Sequence, residues 1–472
     1  MLLERFHDEL LAQTSYLVGC QEAKLAIVVD PNRDIDRYID AAARHKLTIA
    51  FVAETHIHAD FVSGARDLAR KTGARLILSG SGGNDWQYQF AKEDGARVVR
   101  DGDHVSLGPV RLTVRETPGH TPEHICFVVT DRATSDQPVG MLSGDFVFAG
   151  DVGRPDLLER AANIEGTMDA LARALFNSLR EMGSLPDFLQ IWPGHGAGSA
   201  CGKALGAMPS TTLGYERIAN WAFQIADEDR FVREVLAGQP EPPKYFAKMK
   251  AINRAGPAPA AVAPAELREL KLKAYERAKA AGASVVDVRS TADYASGHLP
   301  STLNLPTGAS FAMWAGSLLP YDRDIVLLAD DRRRIARARH ALTLIGLDRV
   351  IGWAGASLRE EWRAKHGQLP TVAQIDVGHL AAANERTVID VRAASEWSEG
   401  HMPGAKHLFL GDLVALSSEL PRDTPIAVHC QGGTRSVIGT SLLEAQGFTN
   451  VANVVGGIRA WEAAGLPLTR DI

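Results

Sequence analysis

Six residues that could ligate a metal stand in four short stretches of the chain. His56, His58 and Asp60 lie in Thr55-His-Ile-His-Ala-Asp60, His120 in Pro118-Gly-His-Thr-Pro122, Asp145 after Gly144, and His195 in Trp192-Pro-Gly-His-Gly196. His56 and His58 are two residues apart, so in extended backbone their side chains point to one side, and Asp60 continues the alternation. Imidazole and carboxylate donors suit zinc, iron or manganese. Two imidazoles and one carboxylate on non-haem iron leave positions for substrate and oxygen. The same donor types serve zinc-assisted hydrolysis, and spacing alone does not separate the two.

A second chemistry is written in Cys430-Gln-Gly-Gly-Thr-Arg-Ser436. Gly432 and Gly433 let backbone N–H groups turn toward the Cys430 sulfur, with Gln431 and Thr434 completing the turn. A helix starting near Ser436 adds its positive end, which favours thiolate over thiol. Such a thiolate is a sulfur nucleophile. Arg435 is expected to brace this loop or hold an anionic donor.

The elements that must position these groups follow from apolar patterning. Strands are expected at 25–29, 48–53, 75–79, 110–116, 125–130, 140–144 and 188–193, and helices at 35–45, 64–71, 164–179 and 215–236. Such interleaving argues for a layered α/β domain with its polar residues in strand-end loops. Gly256-Pro-Ala-Pro-Ala-Ala-Val-Ala-Pro264 reads as a linker. Beyond it the chain repeats itself: Val285-Val-Asp-Val-Arg289 returns as Val388-Ile-Asp-Val-Arg392, and Gly297-His-Leu-Pro300 as Gly400-His-Met-Pro403. In the first copy the cysteine loop becomes Ala329-Asp-Asp-Arg-Arg-Arg-Ile335. That copy has no nucleophile there, and a spacer or docking role is expected for it.

The 472 residues exceed one hydrophobic core and predict about three domains. A formal net charge of −6 gives no electrostatic case for a nucleic-acid partner, and no apolar run approaches membrane-spanning length. Four scattered cysteines form no disulfide framework, and the charged start does not read as a signal peptide. A reducing, cytoplasmic home is expected, and a homodimer is the base-rate expectation.

Residues 1–255 resemble the metallo-β-lactamase superfamily, through Thr55-His-Ile-His-Ala-Asp-Phe61, His120, Asp145 and His195. Within its glyoxalase II-like branch, the binuclear hydrolases place a ligating histidine where this chain has Phe61, so the second metal position is compromised. The branch holding a single metal is persulfide dioxygenase. That resemblance implies one Fe(II) per chain on His56, His120 and Asp145, with His58, Asp60 and His195 as a polar surround. It implies oxidation of a small persulfide, glutathione persulfide by default, by O2 to sulfite and thiol. Arg154 is expected to pair with Asp156, or else to reach a carboxylate of the thiol, and Cys201 either carries sulfur or is simply packed. Residues 283–363 and 386–470 each resemble a rhodanese domain, which implies sulfane-sulfur transfer from thiosulfate or to sulfite. Taken together, the resemblances imply an αββα sandwich over 1–255, a linker over 256–268, an inactive rhodanese-like domain over 269–370 and an active one over 371–472, both small α/β folds. The competing readings are a binuclear zinc thioester hydrolase of glyoxalase II type and a non-enzymatic sulfur carrier or sensor.

Overall fold

A computed structural model describes residues 1–162, 166–199, 201–203, 205–259, 267–382 and 385–470. Most of the expected linker, and the start of the helix expected at 164, lie outside the described residues. The chain divides into two compact units, one built on Met1–Ala261 and the other on the rhodanese-like repeats.

The first unit has two six-stranded sheets. One runs in sequence order from Leu2–Asp8 through Gln13–Cys20, Leu25–Val29, Thr48–Ala53 and Arg75–Ser79 to Arg97–Val99. The other is ordered Thr211–Thr212, Gln190–Pro193, Gly140–Gly144, Ile125–Asp131, Val110–Glu116, His104–Leu107. The inner faces share one core, with Val18, Ile27, Val29 and Ile77 meeting Val105, Leu112, Val129 and Trp192. The outer face of the first sheet packs on Asp36–Arg44 and Ala65–Thr72, through Tyr38, Ala41 and Leu68. That of the second packs on Thr167–Glu181 and Glu228–Leu236, through Leu175, Leu179, Phe231 and Val235. This is the αββα sandwich, each sheet buried on both faces.

Two sequence expectations change. The single helix expected over 215–236 is three helices, Leu213–Ala219, Trp221–Gln224 and Glu228–Leu236. Asn220 and Asp227 are extended and turn their side chains onto the amides of Ala222 and Arg230, which caps new helices and ends the old ones. The first twenty residues, not anticipated as strands, form an antiparallel hairpin, Leu2–Asp8 with Gln13–Cys20. All of Gln13–Cys20 is buried, including the polar Gln13, Thr14 and Ser15, which hides the two-residue alternation.

In the second unit each repeat is centred on a parallel sheet. The first is ordered Leu303–Asn304, Ser284–Asp287, Ile325–Leu328, Val350–Ala354; the second is Ala373–Ile375, Val451–Val454, Ile426–His429, Thr387–Asp390, Lys406–His407. The duplicated Asp-Val-Arg makes the same contact set twice. Arg289 grips Asp287 bidentately and donates to the Gly297 carbonyl at 3.0 Å. Arg392 grips Asp390 and donates to the Gly400 carbonyl at 2.7 Å. Both pairs are buried and join the strand that ends in the repeated aspartate to the Gly-His-x-Pro turn. No helix among the described residues is long and apolar enough to cross a membrane.

Removing one partner strands a buried charge, which costs roughly 3–5 kcal/mol. Asp287→Ala and Asp390→Ala should each lower the urea midpoint of the full chain, although only the second repeat holds a cysteine. An unchanged midpoint in either variant would show that the pair does not hold its repeat together.

Candidate metal centre and sulfur-transfer loop

The loops after Thr48–Ala53, Val110–Glu116, Gly140–Gly144 and Gln190–Pro193 converge at one end of the sandwich. Ligand atoms of His56, His120 and Asp145 lie within 4.8 Å of one another and are buried. The Asp145 Oδ2 is 3.5 Å from His120 Nε2 and 4.0 Å from His56 Nε2, and its Oδ1 is 3.4 Å from His195 Nε2.

The outer nitrogens of these rings are tied down. His120 Nδ1 pairs with the Arg154 carbonyl at 3.2 Å, and His195 Nδ1 with the Ala12 carbonyl at 3.0 Å. A carbonyl only accepts, so each Nδ1 carries the proton and each Nε2 presents a lone pair to Asp145. For His56 the partner is Thr55 Oγ1 at 2.9 Å, whose own proton goes to Asp30 Oδ2 at 2.8 Å. The Thr55 amide donates to the other Asp30 oxygen at 2.7 Å. Burial, then the neighbouring positive and imidazole groups, push the His56 and His120 pKa values well below the usual range, so both rings are neutral. Burial also raises the Asp145 carboxyl to about 6, and the Cys201 thiol is the one side-chain donor, and a weak one, near its oxygens among the described residues. Three inward lone pairs around an unsatisfied buried carboxylate fit a divalent cation, with the outer contacts setting ring orientation.

The other expected residues divide. His58 turns away from this trio, its Nε2 3.0 Å from Glu54 Oε2 and 3.2 Å from Asp30 Oδ1. Burial opposes its charge, yet the two carboxylates outweigh burial and raise its pKa well above the usual value. Phe61 packs its ring 4.5 Å from that of His58. Asp60, His195 and Cys201 form a second buried cluster within ligand distance, with Asp60 Oδ2 3.5 Å from His195 Nε2. Cys201 is thus inside the cleft, and burial followed by the Asp145 and Asp60 charges pushes its thiol well above the ordinary value. Arg154 is fully buried, bidentate to Asp156 at 2.9 and 2.7 Å, and its carbonyl aims His120.

Three contributors escaped the sequence reading. Asp30 wires His56 and His58 together; its signal was only a strand-end Asp-Pro. His124 Nε2 accepts the Asp145 amide at 3.1 Å, and burial lowers its pKa to about 3, which keeps it an acceptor. Gly144, at φ +50°, leaves no room for a Cβ, which would sit 2.6 Å from Thr55 Oγ1 and 2.8 Å from His124 Nε2.

In the second unit, Cys430 directly follows the Ile426–His429 strand and is buried. The Gly433 amide donates to its sulfur at 3.1 Å, and Ser436 Oγ lies 3.5 Å away. The helix starts at Thr434, two residues before the expected Ser436. Arg435 forks onto Glu396 at 2.6 and 2.7 Å, so it braces the loop. Gln431 Oε1 accepts from Arg392 at 3.4 Å. Gly457, at φ +57°, lets the following helix press on the loop, for a Cβ there would sit 2.1 Å from the Cys430 carbonyl. In the first repeat Ala329 is buried at the corresponding strand end, Asp331 caps the Arg333 amide and Asp330 pairs with Arg359.

The family model described as Metallo-beta-lactamase superfamily matches residues 8–195. The model described as Rhodanese-like domain matches twice, over 270–356 and 376–464. A solved metallo-beta-lactamase structure from Staphylococcus aureus subsp. aureus COL is 41% identical in sequence, with a TM-score of 0.69, over 75% of this chain and 99% of that one. The hydroxyacylglutathione hydrolase of Polaromonas sp. (strain JS666) is 32% identical over 183 residues, 38% of this chain and 61% of the relative. The mitochondrial persulfide dioxygenase of Homo sapiens is 26% identical over 200 residues, 41% of this chain and 68% of the relative. The chain spans about half the length of some curated relatives that it matches.

Thr55→Val removes the acceptor that orients His56 and leaves the three candidate ligands intact. Loss of such an outer contact typically weakens metal binding about 10–100-fold. Chelator competition on the purified protein should show that loss; unchanged affinity would mean that the Asp30–Thr55 relay does not orient the ring.

Proposed function

The chain belongs to the metallo-β-lactamase superfamily and carries two rhodanese-like domains, and from that premise we propose that it oxidises a small thiol persulfide with O2. The products are sulfite and free thiol, and the chain also passes sulfane sulfur through Cys430. Glutathione is the default thiol by resemblance. The observation that carries the reading is the three-donor face of His56, His120 and Asp145, from which His58 is withdrawn into an ion-paired cluster. These three residues would hold one Fe(II) per chain. The bound metal supplies the redox chemistry and the open positions for persulfide and O2.

The protein's own residues do the rest. Neutral His56 and His120 and the ionised Asp145 present the donor face, and His195 and Asp60 line the cleft beside it. For each RSSH, one O2 and one water are consumed, giving RSH, sulfite and two protons. At the second site the Cys430 thiolate, facing the Gly433 amide, attacks the outer sulfur of thiosulfate. The S–S bond breaks, sulfite leaves and Cys430 holds the persulfide. A thiolate RS⁻ then takes the outer sulfur to form RSS⁻ and restores the Cys430 thiolate. Run backwards, the same steps turn sulfite into thiosulfate. The first repeat serves as a spacer or docking unit.

A second reading is hydrolysis of a thioester by two zinc ions. Asp60, His195 and Cys201 favour it, because together with Asp145 they form a donor set in the half of the cleft where Phe61 takes away a histidine. The likeness to a hydroxyacylglutathione hydrolase points the same way.

Metal analysis with oxygen uptake decides between them. About one iron per chain, with O2 consumed in step with sulfite release from glutathione persulfide, is the expected result. Two zinc ions and thioester cleavage without O2 uptake would establish the hydrolase instead; no uptake by an iron-loaded, reduced sample rules out the dioxygenase. Cys430→Ser should abolish transfer from thiosulfate to thiol while oxidation of supplied persulfide continues. Equal loss of both activities would refute two separable sites.

A further inference from the structure

A cavity of about 520 Å³ opens in the second rhodanese-like repeat, toward the end of its sheet away from Cys430. Arg386, in the cavity wall, directly precedes the Thr387–Asp390 strand, and Cys430 directly follows the parallel neighbour Ile426–His429. Thr387 pairs with Ile426 and Asp390 with His429, so Arg386 and Cys430 lie at opposite ends of the two strands, roughly 16 Å apart at the usual rise per residue. A molecule paired with Arg386 is therefore remote from the sulfur-transfer loop. The cavity's size falls within the roughly 300–1,000 Å³ typical of small-molecule pockets.

The wall is apolar apart from one cation. Leu380, Met402 and Trp461 belong to the buried core of the repeat, and Val388 and Leu466 pack at its edge. The Trp461 indole N–H already donates to the Pro467 carbonyl at 2.8 Å, so what the side chain adds to the wall is apolar ring. Arg386 is the one charged residue among the described residues of the lining. Its Nη1 is buried without an acceptor, and among the described residues no hydrogen bond or ion pair holds the side chain. A guanidinium nitrogen withdrawn from water and left unpaired is costly, and an anionic ligand would supply the missing acceptor. The cation is not part of the common scaffold. Counting back from the matched Val285 and Val388, the first repeat has Ala283 at this position, packed against a core that includes Tyr275. A single guanidinium over an apolar wall suits a monoanion, and its planar fork matches a carboxylate.

We propose that this cavity binds a small organic carboxylate with a flat, nonpolar body, pairing its carboxylate with Arg386 and laying its body against Trp461, Met402 and Leu466. The ligand is neither the persulfide nor the sulfur donor, because the cavity lies away from both reactive centres of the chain. The inference stands with either reading of the metal cleft.

The test is photolabelling of the full-length, metal-loaded protein with a benzoate that carries a para trifluoromethyl-diazirine, below saturation, with the label located by peptide mass spectrometry. The benzyl alcohol bearing the same diazirine is the neutral control. The benzoate should label residues within 380–404 or 461–467, the alcohol should label them far less, and excess 2-naphthoate but not thiosulfate should displace the label. Arg386→Met should lower labelling there about 10-fold or more, the loss of one charge-assisted pair, and Arg386→Lys should keep more of it than Met does. No label within these residues, equal labelling by the neutral alcohol, displacement by thiosulfate, or undiminished labelling of a folded Arg386→Met variant would overturn the proposal. The label's position and the comparison with the alcohol are read on the unaltered protein, so they decide the matter even where Arg386→Met fails to fold.

Discussion

A buried carboxylate short of donors organises the first unit. Asp145 has no strong hydrogen-bond donor, only the Cys201 thiol beside it, and three imidazole lone pairs face it. Desolvating such a group without a proton or a cation is expensive, so the cleft is built around a positive charge that the side chains themselves do not provide. Many features of the sandwich's rim serve that arrangement. The Ala12 and Arg154 carbonyls and the Thr55 hydroxyl fix three rings, and His124 holds the Asp145 backbone. Gly144 is the residue small enough, and free enough in φ, to let those strands meet.

Cys430 is placed by different means. There a buried sulfur meets a backbone donor, the Gly433 amide, in a tight loop. The two repeats separate scaffold from chemistry. Both keep the buried Asp–Arg pair and the turn it grips, while only one keeps the nucleophile. In the first repeat the loop's aspartates are spent on a cap and an ion pair, so the altered loop is a settled structure.

The metal cleft has two halves with different characters. On one side, two neutral imidazoles and Asp145 form an uncharged-to-anionic donor face. On the other, Asp60 and His195 are joined by a thiol, and Phe61 stacks on a histidine already committed to Asp30 and Glu54. His58 is committed to two carboxylates, which leaves His56, His120 and Asp145 as a three-donor cluster on the His120 side.

Much of this was legible in the sequence. Histidine and aspartate at strand ends, a cysteine before Gly-Gly, and a repeated Asp-Val-Arg are local patterns, and local patterns follow from backbone periodicity and donor chemistry. They were enough for the layered sandwich, the duplicated units and the residues that could hold a metal or a sulfur. The structure alone decided which of six similar donors face one point, because that depends on where distant loops meet. It turned His58 outward through Asp30, a residue 28 positions away in the chain. It also brought the Ala12 carbonyl of an unforeseen hairpin to His195, a contact 183 residues long in sequence. Cys201 belongs to the same class: it sits in no motif, and what it can do depends on the buried Asp145 and Asp60 charges brought near it by packing.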